Sequence, residues 1–406
     1  MYIFHIYKYK EVVKKMTIEK RKLKILVIFN SLIGVIGGGS RHIIEVVDYW
    51  IDSHRVDYLI SEEGYRVAKE YIHKKESQNK KIIVYSTPFD RVEKFFLAYI
   101  SRIIKSSMEA WKLRRKYDVV IAPNYLPQNM IPAIVMRGGA KRIVYFHNVP
   151  PSLRQEYLKK MNILWRKLSI LNWEFCVLLS KFFDLIFVVN EATKNHFIRR
   201  GFPPKKVVVV GNGIPYNYID NIDVDNKIYD GVFLARLVKR KGIYDLIRIW
   251  KIVVRKNTTA KLCIIGGGSE KEKLKMLIES EKLKENVILT GVVSDEEKYK
   301  IMKSSRVFVY PSYYESWGVV IAEAMACGLP VVAYHAPIYE EVFGEHIFTV
   351  EVGNYKKIAE KVLDILQNPQ NYKEMVENAR NFVARYSWKE VAEHQLRNIV
   401  DIVENI

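Results

Sequence analysis

The stretch YPSYYESWGVVIAEAMACGLPVVAY, residues 310–334, places a polar turn, an apolar helix and an apolar strand in direct succession. Small and apolar residues predict a helix that begins at Val319, and Gly328 is a typical helix stop. Glu315 is therefore predicted to precede this helix, and Glu323 to lie about a turn and a half inside it. A carboxylate that deep in an apolar helix normally has a partner, in the protein or in a ligand.

Short β-branched runs alternate with amphipathic stretches along the whole chain. The first half carries LKILVIFN, RVDYLIS, KIIVYS, YDVVIAP, RIVYFH, DLIFVVN and KVVVVGN, and the second half YDGVFLAR, AKLCIIGGG, NVILTG, SRVFVYPS and LPVVAY. This order predicts an α/β protein with two Rossmann-like, doubly wound parallel sheets that are covered by helices. Because ligands bind beyond the carboxyl ends of such strands, the two domains are predicted to face a central cleft.

The chain length of 406 residues favours two domains over one. The polar segment GNGIPYNYIDNIDVDNKIYD has no periodicity and predicts the boundary between them. The predicted organisation is an extension at 1–20, a first Rossmann-like domain at 21–210, a linker at 211–228, a second Rossmann-like domain at 229–385, and a C-terminal helix at 386–406 that packs back toward the first domain.

Charge is concentrated in the first half of the chain. Residues 1–210 contain 38 Lys and Arg against 18 Asp and Glu, whereas the remaining residues are balanced. Any anionic surface is therefore expected to meet the first half. Three scattered cysteines predict buried thiols in a reducing compartment, which argues against a disulfide framework or a zinc site. No apolar run has the length of a membrane span.

Glycines follow three of the predicted strands, where the backbone can approach a ligand and helix amides can face an anion. The plain alternative for each is a tight strand-to-helix turn. The first cluster does not have the GxGxxG spacing of a dinucleotide site, and no acidic residue follows at the ribose-binding distance. These positions are Gly37, Gly38 and Gly39, then Gly266, Gly267 and Gly268, and then Gly291 with Val292.

Cationic and imidazole side chains also lie at predicted strand ends. His147 follows the fifth strand in YFHNVPP and is a candidate general base or hydrogen-bond donor, although it could simply pack there. Arg236 and Lys241 suit a diphosphate, while a solvated charged turn is the alternative. A metal role for the DVD segment at 223–225 is not expected, because the segment lies in the polar linker.

Taken in order, these motifs resemble the retaining glycosyltransferases of family 4, which have the two-domain GT-B fold. The likeness spans roughly residues 23–400, and its most specific part is the Glu-x7-Glu spacing of Glu315 and Glu323. The cations in ARLVKRKG, the GGGSRH loop, HNVPP and GNGI occur in the same order as in the family. Three departures leave the donor sugar open: Trp317 replaces Phe, Ser316 replaces Gly, and Pro215 replaces the Asp of NGID.

The resemblance implies a role for each motif. Glu323 would hold the ribose hydroxyls of a UDP- or GDP-linked sugar, and Glu315 would contact the transferred hexose. Arg236 and Lys241 would neutralise the diphosphate, so that no metal and no further cofactor is needed. The implied catalytic residues are Glu315, His147, Arg236 and Lys241. The implied donor-binding residues are Gly38, Gly39, Arg236, Lys241, Gly266, Gly267, Gly291, Val292, Glu315, Ser316, Trp317, Gly318, Val319 and Glu323.

The resemblance assigns the acceptor saccharide to the basic first domain. Residues 91–117 and 152–183 mix cations with apolar residues at helical spacing, which is typical of helices at a membrane interface. The alternative is an ordinary helix that covers a sheet. Peripheral attachment to the anionic cytoplasmic face of the cell membrane and a lipid-linked acceptor in glycan assembly are therefore expected. The predicted anchors are Trp165, Trp173, Arg166 and Lys167.

Other functions fit the sequence less well. A GT-B enzyme with a soluble acceptor, such as a glycogen-synthase-like or a sucrose- or trehalose-type enzyme, and a nucleotide-sugar epimerase are the nearest alternatives. Neither explains the spacing within ESWGVVIAEAMACG equally well. A nucleic-acid-binding protein is a remote alternative, because no aromatic RNA-binding signature, helix-turn-helix or zinc spacing accompanies the positive charge. A nucleic acid is therefore not an expected partner.

Overall fold

A computed structural model describes residues 22–30, 38–87, 95–148, 150 and 162–404. These residues form two compact units, and each contains one parallel sheet. The first unit comprises the described residues of 1–153, 162–211 and 389–406, and the second contains residues 212–388. The two Rossmann-like parallel sheets confirm the predicted fold class.

The sheet of the first unit has seven strands in the order β3-β2-β1-β4-β5-β6-β7. Every pair is parallel, and Leu26 of β1 pairs with Asp57 of β2 on one side and Val120 of β4 on the other. Strands β2 and β3 are added on one side of β1, and β4 to β7 follow on its other side. The change of direction between β1 and β4 is the switch point of a doubly wound sheet. The strands are β1 (Lys24–Phe29), β2 (Arg55–Ser61), β3 (Lys80–Tyr85), β4 (Val119–Ala122), β5 (Lys141–Phe146), β6 (Leu185–Val188) and β7 (Val207–Val209).

Helices connect these strands and bury them from both faces, which explains why β1 is almost uniformly apolar. N-cap side chains begin two of these helices. Ser61 Oγ accepts a hydrogen bond from the Gly64 amide, and Asn190 Oδ1 accepts one from the Thr193 amide. The helices are α1 (Gly38–Trp50), α2 (Glu62–Ile72), α3 (Phe95–Leu113), α4 (Pro127–Val135), α5 (Ile163–Leu179) and α6 (Glu191–Ile198), with 3-10 turns at Ser180–Phe182 and Pro204–Lys206.

The second sheet has six parallel strands in the order β10-β9-β8-β11-β12-β13. Its strands are β8 (Tyr229–Leu234), β9 (Leu262–Ile265), β10 (Val287–Gly291), β11 (Ser305–Tyr310), β12 (Val331–Tyr334) and β13 (Phe348–Val350). Its helices are α7 (Tyr216–Asp220), α8 (Ile243–Lys256), α9 (Lys271–Ser280), α10 (Asp295–Lys303), α11 (Val319–Ala326), α12 (Pro337–Val342), α13 (Tyr355–Gln367) and α14 (Lys373–Val383), with 3-10 turns at Lys239–Lys241, Gly344–His346, Pro369–Tyr372 and Ala384–Tyr386.

All twelve predicted strands form, and the structure adds β13 at the edge of the second sheet. This strand has only three residues, which is too short for an alternating pattern to be recognised. The segment 211–228, which is the predicted linker, contains the short helix α7. That helix spans five residues after Pro215, less than the window in which helical periodicity can be seen.

The last helix, α15 (Trp388–Val403), carries the chain from the second unit into the first. Within the first unit, Trp50 donates its indole N–H to the Ala392 carbonyl at 2.9 Å, and the buried Tyr145 hydroxyl donates to Gln395 Oε1 at 2.7 Å. In the second unit, the backbone amide of Ile214 donates to the Tyr386 carbonyl at 2.8 Å. The first and last residues of the second unit therefore lie side by side.

Candidate active site

A buried ion pair lies at the carboxyl end of the second sheet. Lys241 ends the 3-10 turn after β8, and its ammonium donates to the Tyr310 hydroxyl at 2.8 Å and to Glu315 Oε1. Gly242, which follows, has a φ of 69°, and a Cβ on it would lie 1.7 Å from the Pro311 carbonyl oxygen. Only glycine fits this junction, so the close approach of the two loops fixes where Lys241 points.

Glu315 is held by three donors on one of its oxygens. Besides Lys241, the Tyr310 hydroxyl at 2.7 Å and the Ser312 hydroxyl at 2.9 Å both donate to Oε1. Within the described part of the chain, Oε2 accepts no hydrogen bond. Burial lowers the pKa of the Lys241 ammonium, and the negative charge of Glu315 opposes part of that shift. Burial, with the Glu315 charge as a smaller cause, also raises the pKa of Tyr310 well above its usual value.

A second buried carboxylate, that of Asp245, forms a hydrogen bond with the loop that carries Glu315. Asp245, in the first turn of α8, accepts hydrogen bonds from the Tyr313 hydroxyl at 2.6 Å and the Tyr334 hydroxyl at 2.8 Å. The Tyr313 amide also donates to the Arg240 carbonyl at 3.0 Å. Asp245 was not among the predicted site residues, although an acidic residue within an apolar predicted helix is the same signal that singled out Glu323.

Glu323 is buried inside α11, and its partners come from α10. The Tyr299 hydroxyl donates to Glu323 Oε1 at 2.6 Å, and the Lys298 ammonium lies 3.2 Å from the same oxygen. Among the residues that the structure describes, Oε2 of Glu323 accepts no hydrogen bond. The expected partner is therefore supplied by the protein for one oxygen, and the other remains open. Lys298 and Tyr299 were also missed, because SDEEKYK contains no recognisable motif.

Arg236 lies two residues after the end of β8 and is exposed. In the described ranges it forms no side-chain hydrogen bond or ion pair. Its positive charge contributes to lowering the pKa of Lys241, so the two cations lie near enough to interact. Arg236, without a charged partner in the described ranges, and Lys241, which is paired with Glu315, together suit a multiply charged anion.

The predicted glycines lie at the ends of the neighbouring strands β9 and β10. A Cβ on Gly266 would lie 1.9 Å from the Ala235 carbonyl oxygen, so this turn packs directly against the end of β8. The Gly266 amide donates to the Gly291 carbonyl at 2.8 Å, which brings Gly267, Gly291 and Val292 to the same end of the sheet. The Val292 side chain is 83% exposed and presents an apolar surface there.

Gly318 is the N-cap residue of α11 and has a φ of 102°, and Val319 is the first residue of this helix. The Trp317 side chain is buried against the rings of Phe343 and Tyr386, so it does not line an open surface. Its backbone and that of Ser316 form the turn between Glu315 and the helix. The substitution of Trp for Phe is thus accommodated in the core behind the loop.

The first unit holds the remaining predicted residues. His147 contacts Gly39 so closely that a Cβ there would lie 2.6 Å from the imidazole, and Gly38 begins α1. His147 Nε2 donates to the Pro123 carbonyl at 3.0 Å, which fixes the tautomer of the neutral ring. The ring of His42 lies 5.1 Å from that of His147, and His42 Nε2 bonds the Gln395 amide at 2.8 Å. His42 and Gln395 were not predicted as neighbours of this site.

Two family models match adjoining parts of the chain. The model described as Glycosyltransferase Family 4 matches residues 36–218, and the model described as Glycosyl transferases group 1 matches residues 219–382. Together they span every predicted site residue and all of the strands except β1, which precedes residue 36. The chain belongs to the glycosyltransferases of family 4 and group 1.

Relatives and solved structures agree with this membership. An uncharacterized glycosyltransferase of Methanocaldococcus jannaschii is 23% identical over 91% of this chain and 96% of its own length. O-antigen chain mannosyltransferase B of Escherichia coli is 25% identical over 66% of this chain and 70% of its own. The crystal structure of HepE from Anabaena in complex with UDP-glucose superposes with a TM-score of 0.69 at 18% identity, covering 95% of this chain and all of that one. The fold of this glycosyltransferase is therefore GT-B.

Metal and thiol chemistry have no candidate groups in the part of this glycosyltransferase that the structure describes. There, no cluster of three or more His, Cys, Asp or Glu side chains could hold a metal ion. Cys176, Cys263 and Cys327 are free and buried, and burial raises the pKa of each thiol to about 12. Thiols with such pKa values are poor nucleophiles at neutral pH.

The membrane prediction for this glycosyltransferase needs one correction. Trp165, Arg166 and Lys167 lie on α5, where Trp165 and Lys167 are exposed and Arg166 is partly exposed. Trp173 is not an anchor, because it is fully buried and donates its indole N–H to His196 at 3.2 Å. The helix is apolar on two faces, and Trp173 lies on the face toward the sheet. None of the helices within the described ranges is long and apolar enough to cross a membrane.

Proposed function

We propose that this glycosyltransferase moves a hexose from a nucleoside-diphosphate sugar to a saccharide acceptor, with retention of the anomeric configuration. The proposal rests on two carboxylates and two cations at the carboxyl end of the second sheet. Among the described residues, Glu315 and Glu323 each have one oxygen that accepts hydrogen bonds and one that accepts none, and the charge of Arg236 acts on the pKa of Lys241. In such a site the carboxylates can bind hydroxyl groups while the cations bind a diphosphate.

Each side chain then has a distinct task. Glu323 accepts hydrogen bonds from the ribose hydroxyls through Oε2, while Lys298 and Tyr299 hold Oε1. Glu315 contacts the hydroxyls of the transferred sugar in the same manner. The glycine turns of β9 and β10, with the exposed Val292, accommodate the nucleoside, and the amides near Gly318 face the phosphates or the sugar. Gly38, Gly39 and His147 serve the donor or the acceptor from the first unit.

The proposed reaction is a displacement on one face of the sugar. The bond between the anomeric carbon and the diphosphate oxygen breaks, and its electron pair stays on the diphosphate. The acceptor hydroxyl forms the new bond on the same face and gives its proton to a β-phosphate oxygen. Arg236 and Lys241 stabilise the negative charge that develops on the leaving group, which is the step at which catalysis acts.

These cations support a reaction without a metal ion. Arg236 and Lys241 supply two positive charges where a divalent cation would otherwise be needed, so activity should persist in excess EDTA. Uridine is the favoured base because HepE, which shares the fold, was crystallised with UDP-glucose. A hexose donor is favoured by the mannosyltransferase among the relatives, and guanosine remains the other candidate base.

The proposed acceptor is a lipid-linked saccharide at the cytoplasmic face of the cell membrane. The excess of basic residues in 1–210 supports an anionic partner surface for the first unit. A soluble saccharide acceptor is the second candidate, and an epimerase would need no acceptor at all. Analysis of the products with and without added lipid-linked saccharide separates the three.

Donor binding is tested by thermal unfolding with UDP-, GDP- and ADP-sugars. A ligand that binds only the folded protein at 100 times its Kd adds about 2.7 kcal/mol of stability. One nucleotide sugar should raise the unfolding temperature of the wild type and of Glu279→Ala, an exposed control in the same unit, but not of Glu323→Ala. If no nucleotide sugar changes the unfolding temperature of the wild type, the proposed donor site is wrong.

A further inference from the structure

The outer face of α5 carries an apolar stripe that the described residues leave exposed. Its members recur every three or four residues, as positions on one side of a helix do, and are 43–64% exposed. The opposite side of the same helix packs into the core through Trp173, Cys176 and Val177. The exposed stripe comprises Leu164, Leu168, Leu171, Phe175 and Leu178 and continues to Phe182 in the adjoining 3-10 turn.

A similar stripe runs along α3. Its members also recur at helical spacing and are 38–56% exposed, while Ser106 and Ala110 on the other side are buried. Isolated exposed apolar residues are ordinary on a protein surface, but continuous stripes on two helices indicate an interaction surface. The members of this stripe are Leu97, Ile100, Ile104, Met108 and Trp111.

The two helices lie on the same face of the first sheet. Ala110 of α3, Met130 of α4 and Cys176 of α5 belong to one hydrophobic cluster, together with Val120 and Val144 of the sheet. The outer sides of α3 and α5 therefore both point outward on the same side of the first unit. We name the two stripes together the apolar ridge.

Positive charge accompanies the apolar ridge. Residues 95–116 and 162–182 contain nine Lys and Arg against two Glu. The guanidinium of Arg114 lies 3.8 Å from the centre of the Trp111 ring, and Lys112 is exposed beside it. A tryptophan next to cations is suited to the boundary between acyl chains and headgroups, where the ring is buried and the charges meet phosphate.

We propose that the apolar ridge inserts into the surface of an anionic bilayer, with α3 and α5 lying parallel to it. The charge argues against a second copy of this chain as the occupant, because a two-fold interface would place like charges opposite each other. Membrane insertion would explain how the proposed lipid-linked acceptor is reached. It rests on the proposed function in that respect alone. The apolar ridge is the surface through which the first unit reaches a membrane.

The test is flotation of the full chain with vesicles of phosphatidylcholine containing about 30% phosphatidylglycerol, at low salt. The double variant Leu168→Glu/Leu171→Glu should bind these vesicles at least about tenfold more weakly, because two apolar contacts become charged. Met276→Glu, which changes a 61% exposed residue of the second unit, should bind like the wild type. Brominated lipids should quench less tryptophan fluorescence in Trp111→Phe/Trp165→Phe than in the wild type.

Nucleotide-sugar stabilisation is measured on the same variants, so that the two proposals fail separately. A ridge variant that loses vesicle binding but keeps its thermal shift supports the inference. The inference is overturned if the wild type ignores anionic vesicles, or if the ridge variant binds as well as the wild type. It is also overturned if sedimentation shows a dimer that the ridge variant dissociates. Loss of the thermal shift in the wild type would instead overturn only the donor site.

Discussion

At the scale of single residues, the pairing of Lys241 with Glu315 predicts a large cost for removing one partner. In Lys241→Met the carboxylate stays in its buried position without its ammonium, which should destabilise the protein by about 3 kcal/mol. Lys241→Met/Glu315→Gln removes both charges and should recover most of that loss. Urea unfolding of both variants checks the prediction, and equal stability of the single and double variants would contradict it.

Tyr299 is predicted to position Glu323. Tyr299→Phe removes the 2.6 Å hydrogen bond to Oε1 but leaves the Lys298 contact, so Glu323 keeps its charge and loses part of its orientation. The Michaelis constant for the nucleotide sugar should rise about tenfold while kcat changes little, because the ribose does not react. Tyr218→Phe is the control, since that neighbouring ring donates no hydrogen bond to Glu323. A fall in kcat at constant KM would refute a positioning role.

Asp48 on α1 is predicted to make stability depend on pH. Burial raises its pKa from 3.8 to about 6, with the Lys80 ammonium 3.7 Å away opposing the shift. The folded state therefore holds a proton that the unfolded state releases, and this stability is lost as the pH rises from 3.8 through about 6. Asp48→Asn should remove this dependence, so its advantage over the wild type in thermal unfolding should be larger at pH 7.5 than at pH 4.

At the scale of elements, the junction of β8 with α8 depends on Gly242. In Gly242→Ala the new Cβ would lie 1.7 Å from the Pro311 carbonyl, so the loops must separate and Lys241 must move. Gly328→Ala is a matched control, because its φ of 70° is almost the same and no atom lies within 4 Å of the added Cβ. The control should cost about 1 kcal/mol from backbone strain alone. Gly242→Ala should cost clearly more in urea unfolding and also abolish nucleotide-sugar stabilisation.

The elements that sequence analysis could predict are those with a local signal. Buried parallel strands are continuous β-branched runs, so β1 and β11 are visible in the sequence, whereas the three-residue β13 has no pattern to recognise. Helix α11 was predicted from its start to its glycine stop, which placed Glu323 correctly within it. These features depend on neighbours in the chain, which is why one sequence is enough to find them.

The partners within the site depend on contacts across the fold and were not predictable in this way. Tyr299 reaches Glu323 from another helix, and Asp245 reaches Tyr334 from 89 positions away. The error at Trp173 has the same origin: α5 is apolar on two faces, and its periodicity cannot say which face meets the sheet. The packing of α5 against α6, where His196 accepts the indole N–H of Trp173, shows that Trp173 lies on the buried face.

At the scale of the whole molecule, the first unit is discontinuous in sequence. Its helix α15 arrives after the entire second unit, and it supplies the Ala392 carbonyl to Trp50 and the Gln395 side chain to Tyr145 and His42. A chain that stops after Trp388 would leave the Tyr145 hydroxyl and the Trp50 indole buried without these partners. Each such loss costs about 1–3 kcal/mol, in addition to the apolar contacts of Ile399 and Val400.

Removal of residues 389–406 is therefore predicted to unfold the first unit while the second remains folded. Hydrogen exchange resolved by peptide should show β1 and β5 exposed and β8 and β11 still protected. Asn398→Ala, which removes only a bond within the helix, should exchange like the wild type. Protection of β1 in the truncated chain would show that the first sheet is stable without α15. Loss of protection in β8 would show that the two units unfold together.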